Sequence, residues 1–275
     1  MNSRCFFTLF ILMELSNILL AQSVSISPSR VFLTGEAAQE LSQQIILSNP
    51  SDNPVIFTSS FKDWKRDSIG EKHYFAPNTM PLSNASWVEV TPNVVTIPAK
   101  SSVNITIGMH VPSVLPNKNA VTNSMLFLTQ INEQQAKLKT GGANPKIGVS
   151  VKLEFGIHVY FTPQGTVNKN LDFVAVDYKG QQTINNKKTR RIAVKIKNTG
   201  NVVTDGFLRF DITNQVTGDE VKIDPKAISM MPGDEQIIYT DLPVTLKGKY
   251  VLVALLDGGE ETSLKVAKKE LEFTD

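Results

Sequence analysis

The sequence predicts an all-β protein made of β-sandwiches. After residue 23, apolar and polar side chains alternate in short segments, which is the period of a half-buried strand. Apolar residues at helical spacing over several turns are scarce, and clusters of Pro, Asn and Gly separate the segments. Many short strands divided by turn signals in this way are typical of a sandwich.

Composition supports a folded chain of two domains. The 275 residues are 41% hydrophobic and 20% charged, with 28 Lys and Arg against 26 Asp and Glu, which excludes disordered and collagen-like chains. The net charge of +2 gives no general electrostatic reason to bind nucleic acid. A mean hydropathy of −0.09 leaves no room for several membrane spans, and we expect no span in the mature chain.

The first 21 residues predict a secretory signal peptide. Arg4 precedes the apolar run Phe6–Leu20, which ends at Ala21, a small residue suited to cleavage. An uncleaved N-terminal anchor is the alternative. Cys5, the only cysteine, lies inside this leader, so the chain after it has no disulfide, no thiolate nucleophile and no cysteine metal ligand.

Two series of strands follow the leader. The first comprises Val24–Leu33, Leu41–Leu47, Val55–Phe61, Ser86–Val90, Val103–Met109 and Ser124–Ile131. The second begins after residue 165 and comprises Leu171–Tyr178, Thr189–Lys197, Gly206–Ile212, Glu235–Thr240, Tyr250–Leu256 and Leu264–Phe273.

The two series resemble two copies of one plan. In each, an apolar strand ends in an asparagine before a turn, at Asn49 and at Asn198. The segments Val94–Ile97 and Ile228–Met231 both lead through a Pro-containing turn into another strand. This plan fits two immunoglobulin-like sandwiches in tandem. We expect a leader at 1–21, an N-terminal domain at 22–162 and a C-terminal domain at 163–275.

The most regular alternation runs over Ile147–Phe161, where every second residue is apolar. One interpretation is an ordinary last strand of the first domain, with this face in the domain's own core. The other is that its first half presents an apolar face to a partner protein, because a free strand edge can pair with another chain. The partner-binding side chains would then be Ile147, Val149, Val151 and Leu153.

Three segments resemble periplasmic chaperones of pilus assembly, the PapD-like family. They are the first strand Val24–Phe32, Asn49 after an apolar strand, and Gly156–Pro163 at the domain junction. The resemblance implies a boomerang of two immunoglobulin-like domains, with a client subunit in the cleft. It also implies that the last strand of the first domain completes the client's unfinished sandwich.

The resemblance further implies that an Arg and a Lys of the chaperone bind the client's terminal carboxylate. Arg30 matches the Arg, whose guanidinium offers parallel donors to a carboxylate. The position of the Lys is occupied by His158, with Lys152 and Lys146 as substitutes on the same segment. The alternatives are that Arg30 and His158 are solvated strand residues.

No enzyme signature is present: the sequence has no nucleophile elbow, no phosphate loop and no paired metal-ligand histidines, and we expect no enzyme, cofactor or metal. Trp64 lies in the charged segment Lys62–Asp67 and is expected in packing or at a recognition tip.

The leading hypothesis is a periplasmic chaperone for pilin-like subunits, with an outer-membrane usher as a further partner. An exported structural or adhesive immunoglobulin-like protein is the alternative.

Overall fold

The structure, a computed structural model, describes residues 24–132, 134–135, 150–165, 167–259 and 262–274. Within these ranges the chain forms strands, turns and loops and no helix, which confirms the all-β prediction. A helix with the length and hydropathy needed to cross a lipid bilayer is accordingly not found among them. The predicted leader lies outside the described residues.

The described residues of the first half form twelve strands. They are β1 (Ser25–Ser27), β2 (Arg30–Gly35), β3 (Glu40–Asn49), β4 (Val55–Arg66), β5 (Lys72–Phe75), β6 (Val88–Thr91), β7 (Val94–Ile97), β8 (Ser101–His110), β9 (Thr122–Gln130), β10 (Gln134–Gln135), β11 (Ser150–Val151) and β12 (Glu154–Pro163).

Eight further strands follow in the part of the second half that the structure describes. They are β13 (Leu171–Ile184), β14 (Lys187–Asn198), β15 (Thr204–Asn214), β16 (Glu220–Val221), β17 (Lys226–Met230), β18 (Glu235–Pro243), β19 (Gly248–Asp257) and β20 (Lys265–Phe273).

The first sandwich packs the sheet β1-β3-β8-β6 against the sheet β2-β12-β9-β4-β5, with β7 beside β4 and a separate β10–β11 ribbon. Alternation along the strands directs one set of side chains between the sheets. Ile45 and Ile105 from one sheet meet Leu126 and Val159 from the other, and each is at most 1% exposed. This apolar layer holds the two sheets together.

The second sandwich repeats the arrangement. Its sheet β13-β14-β18 packs against β16-β15-β19-β20, with β17 beside β15. Val194 and Ile196 of β14 pack in the same core as Ile212 and Leu252 of the facing sheet, and all four are fully buried. The two series of predicted strands therefore form two separate cores, as the tandem-sandwich prediction requires.

The predicted first strand, Val24–Leu33, is two strands in two sheets. Pro28 has no N–H for a sheet ladder, and there the chain leaves the first sheet and enters the second. Strand β1 pairs with β3, whereas β2 pairs in parallel with β12. The continuous strand predicted over Ile147–Phe161 is also wrong in part, because residues 152–153 separate β11 from β12.

The internal repeat has a structural basis in two buried asparagines. Asn49 Nδ2 donates to the carbonyl oxygens of Ile97 and Pro98 at 3.2 and 3.0 Å. Asn198 Nδ2 donates in the same way to Val202 and Met230 at 2.9 and 3.0 Å. Each side chain thus ties the end of one strand to a neighbouring segment, and the bonds to Ile97, Val202 and Met230 satisfy buried carbonyls.

We expect Asn198→Ala to lower the free energy of unfolding by about 3 kcal/mol, because it leaves buried carbonyl groups without donors. Denaturant unfolding measures the loss. Asn117→Ala, at an exposed loop asparagine, is the matched control and should change the stability by less than about 0.5 kcal/mol. Equal losses in the two variants would contradict the role assigned to Asn198.

Candidate functional site

The two sandwiches meet through a small apolar cluster. Trp64, Phe127 and Tyr160 of the first sandwich pack with Val202 and Met231 of the second. A backbone bond adds to this contact, since Ile237 N in β18 donates to Ser68 O in the β4–β5 turn at 2.6 Å. The β4–β5 hairpin therefore reaches across the junction and is attached to the second sandwich.

A cleft of about 800 Å³ opens beside this junction and is lined by both sandwiches. Among the described residues that line it, four charged side chains are cations and one is a carboxylate: Arg30, Arg66, Lys72 and Lys226 against Asp205. His158 and Tyr160 of β12 form part of the same wall. An excess of cations in a concave site favours an anionic ligand.

Arg30 begins β2 and faces this cleft, as the resemblance implied. Its Nη1 lies 2.8 and 2.7 Å from the two carboxylate oxygens of Asp205 in the second sandwich. The guanidinium lies 5.4 Å from the centre of the Phe32 ring, which stacks on Tyr160. With 38% of its side chain exposed, Arg30 is positioned by aromatic packing and still reaches solvent.

His158 lies opposite Arg30 in the parallel β2–β12 pairing. The side chain is packed between rings: Tyr160 is parallel to it at 5.6 Å, and Trp64 meets it edge-on at 4.5 Å. Only 7% of the residue is exposed, so the alternative of a solvated strand histidine is wrong. Trp64 is itself buried and serves this packing.

Burial, together with repulsion from Lys72, Arg66 and Arg30, lowers the pKa of His158 to about 3. The imidazole is therefore neutral at physiological pH. Its Nε2 lies 3.0 Å from Lys72 Nζ, and its Nδ1 lies 3.2 Å from the Tyr160 hydroxyl oxygen. Because a Lys ammonium can only donate, Nε2 accepts from Lys72 and Nδ1–H donates to Tyr160.

Lys72 and Arg66 are functional candidates that sequence reasoning missed. They are register partners that flank the turn of the β4–β5 hairpin, and both line the cleft. Burial, followed by repulsion from Arg66, lowers the pKa of Lys72. A hairpin signal was available in the Asp67–Gly70 turn, but nothing local indicated that the returning strand would approach His158.

The predicted partner-binding residues are described only in part. Ile147, Val149 and Lys146 lie outside the described residues. Val151 is 60% exposed, which the partner-binding interpretation requires. Leu153 is half-buried and packs against the first core.

The second half of the predicted strand Ile147–Phe161 packs into the core of its own domain. Phe155 packs against Phe57 with ring centres 5.7 Å apart, and Ile157 and Val159 lie in the first core. These side chains face their own domain.

One edge of β12 is uncovered over its first residues. Glu154–Ile157 pair with β9 on one side, but β2 covers the other side only from His158 onward. Among the described residues no strand pairs with Glu154–Ile157 on that second side. This edge ends where Arg30 begins β2, so it leads directly into the cationic cleft.

Asp67 and Glu71 of the β4–β5 turn lie close to His73 of β5, and the potential ligand atoms of the three lie within 4.8 Å of one another. Asp67 accepts hydrogen bonds from the backbone N–H groups of Ile69 and Glu71 and contacts His73 Nε2 at 3.0 Å. These bonds stabilise the turn that carries Ser68 to the second sandwich, and they account for the cluster.

The low pKa of His158 predicts a specific pH dependence. As the pH falls, His158 is protonated near pH 6.5 in the unfolded chain but only near pH 3 in the folded chain. Acid therefore favours the unfolded chain. Between pH 7 and pH 5 the wild type should lose about 2 kcal/mol more unfolding free energy than His158→Gln. Denaturant unfolding at both pH values tests this, and ¹⁵N NMR should show a ring that stays neutral at pH 5. Parallel losses in the two proteins would contradict the assignment.

No family model matches the sequence, and no curated protein matches it. Among solved structures, the chain is similar to the E. coli chaperone DraB at 14% identity and a TM-score of 0.45, over 89% of this chain and 97% of that one.

It is also similar to a chain in the Salmonella enterica complex of SafA pilin with the SafB chaperone, at 13% identity and a TM-score of 0.47, over 89% of this chain and 95% of that one. A third similarity is to a chain in the CsuC–CsuE chaperone–tip subunit complex of Acinetobacter baumannii, at 12% identity and a TM-score of 0.49, over 90% and 97% of the two chains. Because the identities are this low and each TM-score lies below 0.5, none of these similarities decides what the chain does.

Proposed function

We propose that this protein is a periplasmic chaperone that binds the subunits of a surface fibre, of the pilus or fimbria type, by β-strand addition. The observation that supports this most directly is the uncovered edge of β12, which leads into a cationic cleft. An edge of this kind offers unpaired N–H and C=O groups to a second chain.

The geometry limits where an added strand can lie, and the proposed carboxylate contact gives its direction. Strand β2 already occupies this side of β12 from Arg30 onward, so an added strand must end there. A client strand whose C-terminus lies at that point runs parallel to β12. Its terminal carboxylate then meets Arg30, whose planar guanidinium suits a carboxylate. We propose Arg30 and His158 as the residues of this end-binding site.

The side chains before β12 supply the apolar part of the complex. We propose that Ile147, Val149, Val151 and Leu153 fill positions in the client's incomplete sandwich. Full burial of each contributes about 1.5–3 kcal/mol before the cost of ordering the segment. Leu153 now packs on its own core, so it must leave that contact to take part.

The remaining features of the proposal follow from a non-enzymatic binding role. Residues 1–21 direct export, and the parts 22–162 and 163–275 act as the two domains. Strand addition supplies the binding free energy by itself, so no nucleotide or cofactor is needed. The completed complex would deliver its subunit to an outer-membrane usher. A structural or adhesive protein would need neither the uncovered edge nor an exposed Val151.

The test of strand addition is Val151→Asp, followed by purification from the periplasm and mass spectrometry. A charge at an apolar contact must be desolvated, so recovery of the captured subunit should fall at least about tenfold. Val216→Asp is the control, because Val216 is 87% exposed in a turn of the second sandwich. Both variants should remain folded. Undiminished capture by Val151→Asp would favour the structural or adhesive alternative.

A second experiment tests the end-binding site. Arg30→Ala should weaken binding of a captured subunit by about ten- to a hundredfold, the loss expected when a charge-assisted hydrogen bond is removed. Arg209→Ala is the matched control, since Arg209 forms a comparable ion pair with Asp257 on the second sandwich. Affinity is measured by titration calorimetry. Similar values for both variants would remove Arg30 from the site.

A further inference from the structure

We propose that Lys72 supplies the second cation of the carboxylate site, with His158 as a neutral positioning residue that holds the Lys72 ammonium beside the end of β12. This inference rests on the proposed function and changes the role that the sequence suggested for His158. The cation would come from the β4–β5 hairpin rather than from β12 itself.

The first observation is that two adjacent cations form no ion pair with a carboxylate among the described residues. Lys72 and Arg66 face each other across the hairpin and line the same cleft. Neither side chain forms an ion pair with a carboxylate within the described part of the chain. Asp205, the one carboxylate among the described residues that line the cleft, is already bound by Arg30. Two neighbouring cations repel, and an anionic ligand between them relieves that repulsion.

The second observation is the direction of the hydrogen bond between Lys72 and His158. Since the ammonium only donates, one of its three hydrogens is used on Nε2, 3.0 Å away, and two remain for a ligand. The Trp64 ring lies 6.0 Å from Nζ and adds a weak cation–π contact. Both contacts fix a flexible side chain at the wall of the cleft.

The third observation concerns what fixes His158 itself. Trp64 and Tyr160 pack against the imidazole, and the Tyr160 hydroxyl accepts from its Nδ1. This bond selects the tautomer that presents a lone pair at Nε2. A protonated imidazole would present an N–H there and would repel Lys72, so the ring performs this role only while it is neutral.

The carboxylate preference of the site can be measured with a defined probe. The probe is a short synthetic peptide of alternating valine and threonine, made with a terminal carboxylate or a terminal carboxamide. We expect the wild type to bind the carboxylate form at least about tenfold more tightly. In Lys72→Met that preference should fall to about threefold or less, while affinity for the carboxamide stays unchanged.

Two controls separate the charge from general effects. Lys65→Met changes a lysine on the other face of the same hairpin and should keep the full preference. In the double variant Lys72→Met with His158→Lys, an ammonium is supplied from β12 instead, and the preference should return. A return of the carboxylate preference in this double variant would show that the preference depends on a positive charge in the cleft and not on the stability of the hairpin.

The role of His158 has its own measurements. His158→Phe keeps an aromatic ring but removes the acceptor, so the preference for the carboxylate should fall while binding of the carboxamide is retained. In the wild type, the carboxylate peptide should shift the ¹⁵N signal of His158 Nε2, and the carboxamide should not. A His158→Phe variant with unchanged preference would overturn the positioning role.

The same measurements distinguish an error in the role of Lys72 from an error in the proposed function. If Arg30→Ala abolishes the preference and Lys72→Met leaves it intact, Lys72 is not the second cation and the Arg30 site stands. If the wild type binds both peptides equally, the carboxylate site is overturned altogether. Strand addition is then decided independently by capture of subunits with Val151→Asp.

Discussion

The partial pairing of β2 with β12 is the constraint on which the rest of the site depends. Because the chain changes sheets at Pro28, the parallel pairing starts only at Arg30 and His158. This change of sheets therefore leaves the edge of Glu154–Ile157 uncovered by β2, and it places the Arg30 guanidinium at the end of that edge. An uncovered edge alone would accept many extended chains, and a cation alone would bind many anions. Together they favour an extended chain that ends beside the guanidinium and carries a negative charge at that end.

The cleft is assembled from segments that are distant in sequence. Asp205 of the second sandwich holds one side of the Arg30 guanidinium, and the hairpin contributes Lys72 and Arg66 on the other wall. Aromatic packing around His158 joins these parts, since Trp64 of the hairpin and Tyr160 of β12 both contact its ring. The desolvation that keeps the histidine neutral also strengthens its bond to the ammonium. Packing and electrostatics in this cleft are consequently coupled.

Local patterns predicted much of the fold and part of the site. Alternation located the strands that fill both cores, and the repeat around Asn49 and Asn198 proved to be a shared set of buried hydrogen bonds. The position of Arg30 in the cleft also agreed with expectation. Strand β5 was missed because all four of its residues are exposed and show no alternation. Lys72 was missed with it, since its approach to His158 is a tertiary contact over 86 residues.

The backbone bond between Ser68 and Ile237 gives the C-terminal sandwich an influence on a site that lies mostly outside it. It fixes the turn of the hairpin, and Lys72 and Arg66 directly flank that turn. A fragment ending after β12 would retain the uncovered edge, yet its hairpin turn would lose the bond to Ile237 and Arg30 would lose Asp205. Such a fragment would still pair with extended chains but would discriminate poorly between a chain terminus and an internal stretch. On the proposed function, the second sandwich would thereby contribute to the selectivity of the cleft for chain termini through its bond to the hairpin turn.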